Sequence, residues 1–195
     1  MRKAEVTRTT KETRVDLELV IGSYEESSID TGVPFFDHML YAMARHGALC
    51  VKLKCVGDTD IDDHHSVEDV GIVMGTAVRD ALGDKSGINR FGDALVPMDE
   101  ALCQCALDIS GRPFFSFSGN GGDGYIGAYN CELTSEFFRA LATGAGINLH
   151  IRVISGDNRH HIHEAVFKSF GRALREAVTL DPVMGNRIPS TKGVI

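Results

Sequence analysis

The chain has 195 residues, 43% hydrophobic and 24% charged, the profile of a globular protein with a core for one large or two small domains. Its formal charge of −7 argues against nucleic acid as the main partner, because phosphate binding favours a basic surface. The opening MRKAEVTRTTKETR has no apolar centre, and no run approaches the ~20 apolar residues of a spanning helix, so neither a signal peptide nor a membrane anchor is expected.

In chain order, residues 3–21 predict two strands, with Val15, Leu17, Leu19 and Ile21 alternating against polar neighbours. A turn over 22–28 leads to Thr31-Gly32-Val33-Pro34, a helix entry, followed by the apolar stripe Phe36, Met39, Leu40 and Met43. Leu49, Val51, Leu53 and Cys55 alternate as the next strand. An Asp-rich loop then opens a second helix at Asp63-His64-His65-Ser66-Val67-Glu68, running to about Leu82. The order repeats. Strands are predicted over 102–109 and 114–118, a helix over 133–143, a strand over 147–153 and a closing helix over 160–178.

The repeat can be put in register. At an offset of 98, Leu49, Val51, Leu53 and Cys55 fall on Ile147, Leu149, Ile151 and Val153. At 96, Val70, Gly75, Ala77 and Ala81 fall on Val166, Gly171, Ala173 and Ala177, and at 88 Glu12 falls on Glu100. Together these predict an α+β fold made by internal duplication. Each half is a small mixed sheet with two helices, and the helices are sandwiched between the sheets. The halves are expected at about 1–88 and 89–182, with a tail over 183–195. The five cysteines form no Cys-x-x-Cys pair and read as small reduced packing residues, which points to a cytoplasmic protein.

The chemistry lies in the repeated His-His-x-x-Glu, at His64-His65 with Glu68 and again at His160-His161 with Glu164. Residues four apart share a helix face at about 5–6 Å. His64 with Glu68, and His160 with Glu164, can each grip one ion. His65 and His161 point about 100° away and serve a different ion. In the 98 register His38 falls on Glu136, two good ligands at one structural place, and His46 follows His38 on the same face. Imidazole–carboxylate sites of this kind suit Mn(II), Fe(II), Zn(II) or Co(II), and Mn(II) if the site is octahedral. Lys168 stands four after Glu164, about 12 Å along the helix from His160, where it could hold an anionic substrate tail. Arg90, Arg112 and the terminal Ser190-Thr191-Lys192 are further phosphate candidates. His150 and His163 read as surface or packed residues. Gly119-Asn120-Gly121-Gly122-Asp123-Gly124 satisfies a dinucleotide fingerprint, but no helix or βαβ unit frames it, so it reads as a flexible hairpin loop.

The chain resembles the imidazoleglycerol-phosphate dehydratase family of histidine biosynthesis. The resemblance rests on RTTKET (8–13), TGVPFFDHML (31–40), DHHSVEDVG (63–71), RFGDALVPMDEA (90–101), LDISGRP (107–113), EFFRALA (136–142), HHIHEAVFKSFGRALREAV (160–178) and IPSTKG (188–193). It implies a monofunctional hydro-lyase that converts imidazoleglycerol phosphate to imidazoleacetol phosphate. Two Mn(II) ions per site would be bridged by the substrate's ring as imidazolate, which expels hydroxide through a diazafulvene-like intermediate. Carried over, one ion falls to His38, His64, Glu68 and His161, the other to Glu136, His160, Glu164 and His65. Glu136 stands where many members have His. The resemblance also implies Glu12 as the base for the C–H proton, with Arg90, Arg112, Lys168, Ser190 and Lys192 as a phosphate clamp. It further implies a 24-subunit shell of trimers whose sites are completed between subunits. Two rival readings share the ligands: a two-metal phosphoesterase and a non-catalytic metal-binding oligomer.

Overall fold

The computed structural model describes residues 2–121 and 123–195. The first half comprises β1 (Arg2–Thr9), β2 (Thr13–Ile21), β3 (Ser28–Asp30), α1 (Pro34–Gly47), β4 (Leu49–Gly57) and α2 (His64–Leu82). The second comprises β5 (Phe91–Met98), β6 (Ala101–Asp108), β7 (Phe114–Ser118), the small hairpin β8 (Tyr125–Ile126) and β9 (Tyr129–Asn130), α3 (Glu132–Ala145), β10 (Asn148–Ser155) and α4 (Arg159–Val178). The large sheets run β1-β2-β4-β3 and β5-β6-β10-β7, each with one parallel edge pair, β3 on β4 and β7 on β10. The duplication is therefore one of topology as well as of sequence.

The registers agree with it. Leu53 pairs with Leu17, and its counterpart Ile151 with Cys105; Val6 pairs with Leu17, and Ala94 with Cys105. The offsets of 88 and 98 are thus the offsets at which the strands hydrogen-bond. Four strands go beyond the sequence expectation. β3 is only three residues long, and the β8–β9 hairpin only two residues a side. β5 turns small residues inward, Gly92, Ala94 and Val96, and leaves Phe91 and Leu95 exposed, which inverts the usual apolar alternation. The cause is α4, which packs on β5: a Cβ at Gly92 would stand 2.1 Å from the Ala173 carbonyl oxygen. Pro97 is tolerated because β5 is an edge strand.

The helices lie between the sheets and pair across the halves, α1 with α4 and α2 with α3. Two glycines set these crossings. A Cβ at Gly75 of α2 would meet the Leu141 carbonyl oxygen at 2.3 Å and the Ala145 nitrogen at 2.8 Å of α3. A Cβ at Gly171 of α4 would meet the Met43 carbonyl oxygen at 2.5 Å and the Gly47 nitrogen at 3.1 Å of α1. The two sets correspond residue for residue in the 96 and 98 registers. Around these crossings the core packs Phe36, Phe137, Phe138, Phe167 and Phe170, each fully buried. All five cysteines are free and buried, Cys103 and Cys105 on one strand face. The loop over 119–124 precedes the β8–β9 hairpin, and Gly122 of that loop lies outside the described residues. Among the described residues no helix is long and apolar enough to cross a membrane.

Candidate metal centre

The two His-His-x-x-Glu stretches occupy the first turns of α2 and α4. The α4 turn is held by Asn158, whose side chain accepts from the backbone N–H of His160 and His161, a local N-cap that fixes where the imidazoles leave the helix. On α2 the Asp62 carboxylate accepts from the His64 N–H at 2.8 Å.

His38, His160 and Glu164 converge, with one ligand atom from each lying within 4.8 Å of the others. His160 Nε2 is 3.1 Å, and His38 Nε2 3.4 Å, from the same Glu164 oxygen. Two imidazoles and a carboxylate aimed at one point form a donor set for a divalent transition ion. Burial would raise the Glu164 pKa, but Lys168, at 2.6 Å from its other oxygen, together with His160 and His38 brings it below the ordinary value. The charged carboxylate a metal needs is therefore the favoured form.

Within the single chain His38 sits beside the α4 pair rather than beside His64 and Glu68, because α1 packs chiefly on α4. By the same cross-half pairing, Glu136 of α3 and His64 of α2 line one cleft, together with Asp62, Asp63, Asn130 and Glu132. Glu68 is half-buried one turn past His64 on the same helix face. Glu136 is ion-paired with Arg139. His65 and His161 face elsewhere, each bound through Nδ1 to a carboxylate, His65 to Asp58 at 3.0 Å and His161 to Glu100 at 2.8 Å. These bonds are the main reason both histidines titrate above the ordinary range. Glu100 is pulled down to about 2, first by His161 and then by the Asn158 N–H.

The remaining expected residues fall into separate places. Lys168 stands beside Glu164, with its amine also 3.9 Å from the Met98 sulfur. His46 is half-buried two turns past His38, its pKa lowered by burial and then by Lys168 and Arg172. Glu12 is exposed in the β1–β2 turn, which is tied to α2 by Thr13 and Arg8 bonding the Asp69 carboxylate. Arg90 lies at the far end of α4: its N–H bonds the Ala177 carbonyl. Ala177 is 17 residues past His160, about 25 Å along the helix. The Arg90 guanidinium is fixed by Asp108 at 2.7 and 3.1 Å and holds the tail through the Pro189 carbonyl at 2.9 Å. The tail brings Ser190 and exposed Lys192 to this end, and its last residue reaches Gly111, next to exposed Arg112. Within one chain Arg90, Arg112, Ser190 and Lys192 are thus far from the His38–His160–Glu164 cluster, whereas Lys168 adjoins it.

Two carboxylates that hydrogen-bond the rings of expected ligands, Asp58 and Glu100, lie outside the candidates read from the sequence. For Glu100 the signal was present in the 88 register, since it is the repeat position of Glu12. Asp58 has no repeat counterpart and was one of several aspartates in its loop. His163 fits the expectation of a packed residue: it is 1% exposed, with Nδ1 2.8 Å from Thr134 Oγ1 and its pKa lowered by burial to about 4.

Comparison with known proteins identifies this architecture. The family model for imidazoleglycerol-phosphate dehydratase matches residues 31–174. The imidazoleglycerol-phosphate dehydratases of Azorhizobium caulinodans and Moorella thermoacetica are each 50% identical to the chain, which is covered completely, as are 99% and 98% of the two relatives. The crystal structure of the Staphylococcus aureus imidazoleglycerol-phosphate dehydratase superposes with a TM-score of 0.84 at 37% identity, over 92% of this chain and 99% of that one. The Pyrococcus furiosus enzyme does so with a TM-score of 0.84 at 38% identity, over 97% and 100%. The chain belongs to the imidazoleglycerol-phosphate dehydratase family of hydro-lyases.

Proposed function

We propose that the chain dehydrates imidazoleglycerol phosphate to imidazoleacetol phosphate in histidine biosynthesis, with two Mn(II) ions per site. Family membership supports the reaction. The observation that carries the metal reading is the convergence of His38, His160 and Glu164 within 4.8 Å. The cross-half pairing of helices supports a second, equivalent set of Glu136, His64 and Glu68. His65 and His161, turned away from the set on their own helix, each complete a set elsewhere. His38, His160 and Glu164 would hold one such ion and His64, Glu68 and Glu136 the other, and bound there the ions would supply Lewis-acid polarisation of the substrate's ring.

The chain's own groups do the rest. Glu12, exposed and carrying a carboxylate that no hydrogen bond or ion pair engages among the described residues, takes the proton from the adjacent carbon. Hydroxide and that proton leave as water, and the resulting enol becomes the ketone. Lys168, His46, Arg90, Arg112, Ser190 and Lys192 bind and orient the substrate, the cationic residues at its phosphate. The ~25 Å between His160 and the Arg90 end of α4 exceeds the length of a small sugar-phosphate-like substrate. Lys168 serves the cluster of its own chain, while Arg90, Arg112, Ser190 and Lys192 come from another copy, and the working unit is a homo-oligomer, read as a 24-subunit shell, acting in the cytoplasm on a small molecule. The repeats are placed at 1–88 and 89–182, with the substrate-binding tail at 183–195.

Product analysis tests the reaction. Incubation with imidazoleglycerol phosphate and Mn(II) should give a ketone that retains phosphate. Release of inorganic phosphate would favour the two-metal phosphoesterase instead.

A further inference from the structure

We propose that Glu100 is a positioning residue that aims the Nε2 atom of His161, and that Asp58 does the same for His65. The inference rests on reading His65 and His161 as ligands. Each ring presents Nδ1 to a carboxylate, at 2.8 Å for Glu100 and 3.0 Å for Asp58. An ionised carboxylate only accepts hydrogen bonds, so the neutral ring carries its proton on Nδ1. Its lone pair is then left on Nε2, pointing away from the partner.

Glu100 is held from both sides. One oxygen meets His161, while the other accepts from the backbone N–H of Asn158 at 2.8 Å and of Asp157 at 3.3 Å, immediately before α4. The carboxylate plane is thereby fixed against the same turn that carries His161. Its repeat counterpart Glu12 occupies the matching turn between β1 and β2, yet is exposed and engages no such partner among the described residues. The two halves have therefore diverged at one position. In the second half the turn glutamate supports a histidine. In the first it is left free for substrate, and Asp58, just past β4, supports the histidine in its place.

The test is Mn(II) binding to the metal-free full-length protein by titration calorimetry, for Glu100→Gln, His161→Asn and the double variant. A glutamine has one acceptor oxygen for two tasks, so His161 loses its fixed orientation. Glu100→Gln should weaken one class of Mn(II) site by about 10- to 100-fold. In the His161→Asn background it should add little further, a non-additivity that loss of a merely structural contact would not produce. Glu100→Asp, which keeps the charge and loses the reach, should behave like Glu100→Gln and provides a second variant if that one does not fold. Asp58→Asn with His65→Asn repeats the cycle for the other half. Unchanged Mn(II) affinity in Glu100→Gln, or losses that add in full with His161→Asn, overturns the proposal. If His161→Asn alone leaves Mn(II) binding intact, the ligand assignment itself falls, and the positioning role with it.

Discussion

Gly171→Ala puts the packing that builds the metal centre under direct strain. The new Cβ would lie 2.5 Å from the Met43 carbonyl oxygen of α1. A carbon–oxygen contact settles at about 3.3 Å. The two helices must therefore part by roughly 0.8 Å. Overpacking of this kind costs about 1–3 kcal/mol, and the better helix propensity of alanine returns about 1 kcal/mol. The net loss is about 0–2 kcal/mol, or up to about 8 °C in Tm at the ~2–4 °C per kcal/mol expected for a chain of this size. The functional cost is sharper, because α1 carries His38 and α4 carries His160 and Glu164, and metal–ligand distances tolerate only about 0.2 Å. If about 1.4 kcal/mol of strain is added on closing the ligands around Mn(II), affinity falls tenfold. Thermal melting of the metal-free protein and calorimetric titration with Mn(II) measure the two effects separately. A variant that is more stable by the full propensity gain and binds Mn(II) as tightly as the parent would refute the close crossing. Gly75→Ala should act in the same way on α2, α3 and the opposite ligand set.

Two further outcomes follow from individual side chains. Glu12→Gln should leave Mn(II) content and melting temperature unchanged while steady-state dehydration falls by about 10²–10⁴-fold, the usual worth of a general base; near-normal turnover would remove Glu12 from the reaction. His163 is buried neutral, with a pKa near 4 in the fold against an ordinary 6.5. The unfolded chain therefore binds the extra proton as pH falls below 6.5, and stability is lost progressively down to about pH 4, by on the order of 3 kcal/mol. Denaturant melts of the metal-free protein across this range should show that slope, and His163→Gln should flatten it; an unchanged slope contradicts the assignment.

Much of the fold was legible because the duplication supplied two readings of each element. Val15, Leu17 and Leu19 alternate clearly, and the faint pattern around Leu107 could be placed by the 88 offset, which is also the offset of the hydrogen-bonded register. β5 was hidden because α4 presses on it and leaves room only for Gly92, Ala94 and Val96 inside. The candidate ligands are visible as a motif, but their grouping within the chain is not. Helical spacing fixes which residues share a face and leaves open which helix that face meets. That choice is made by Gly75 and Gly171, whose missing Cβ atoms admit α3 and α1 respectively. Lys168 is placed by its spacing on α4, but Arg90 precedes β5 in sequence, and only its backbone bond to Ala177 shows that it lies at the far end of that helix.

The central claim, a dehydratase whose chemistry depends on two Mn(II) ions held by the repeated His-His-x-x-Glu helices, is tested most directly by adding Mn(II) back to chelator-treated protein while following both binding and ketone formation. Activity should be absent after chelation and rise with binding to a plateau at two Mn(II) per chain. Dehydration that survives chelation, or that is unaffected by Mn(II) while the ion binds, would contradict it.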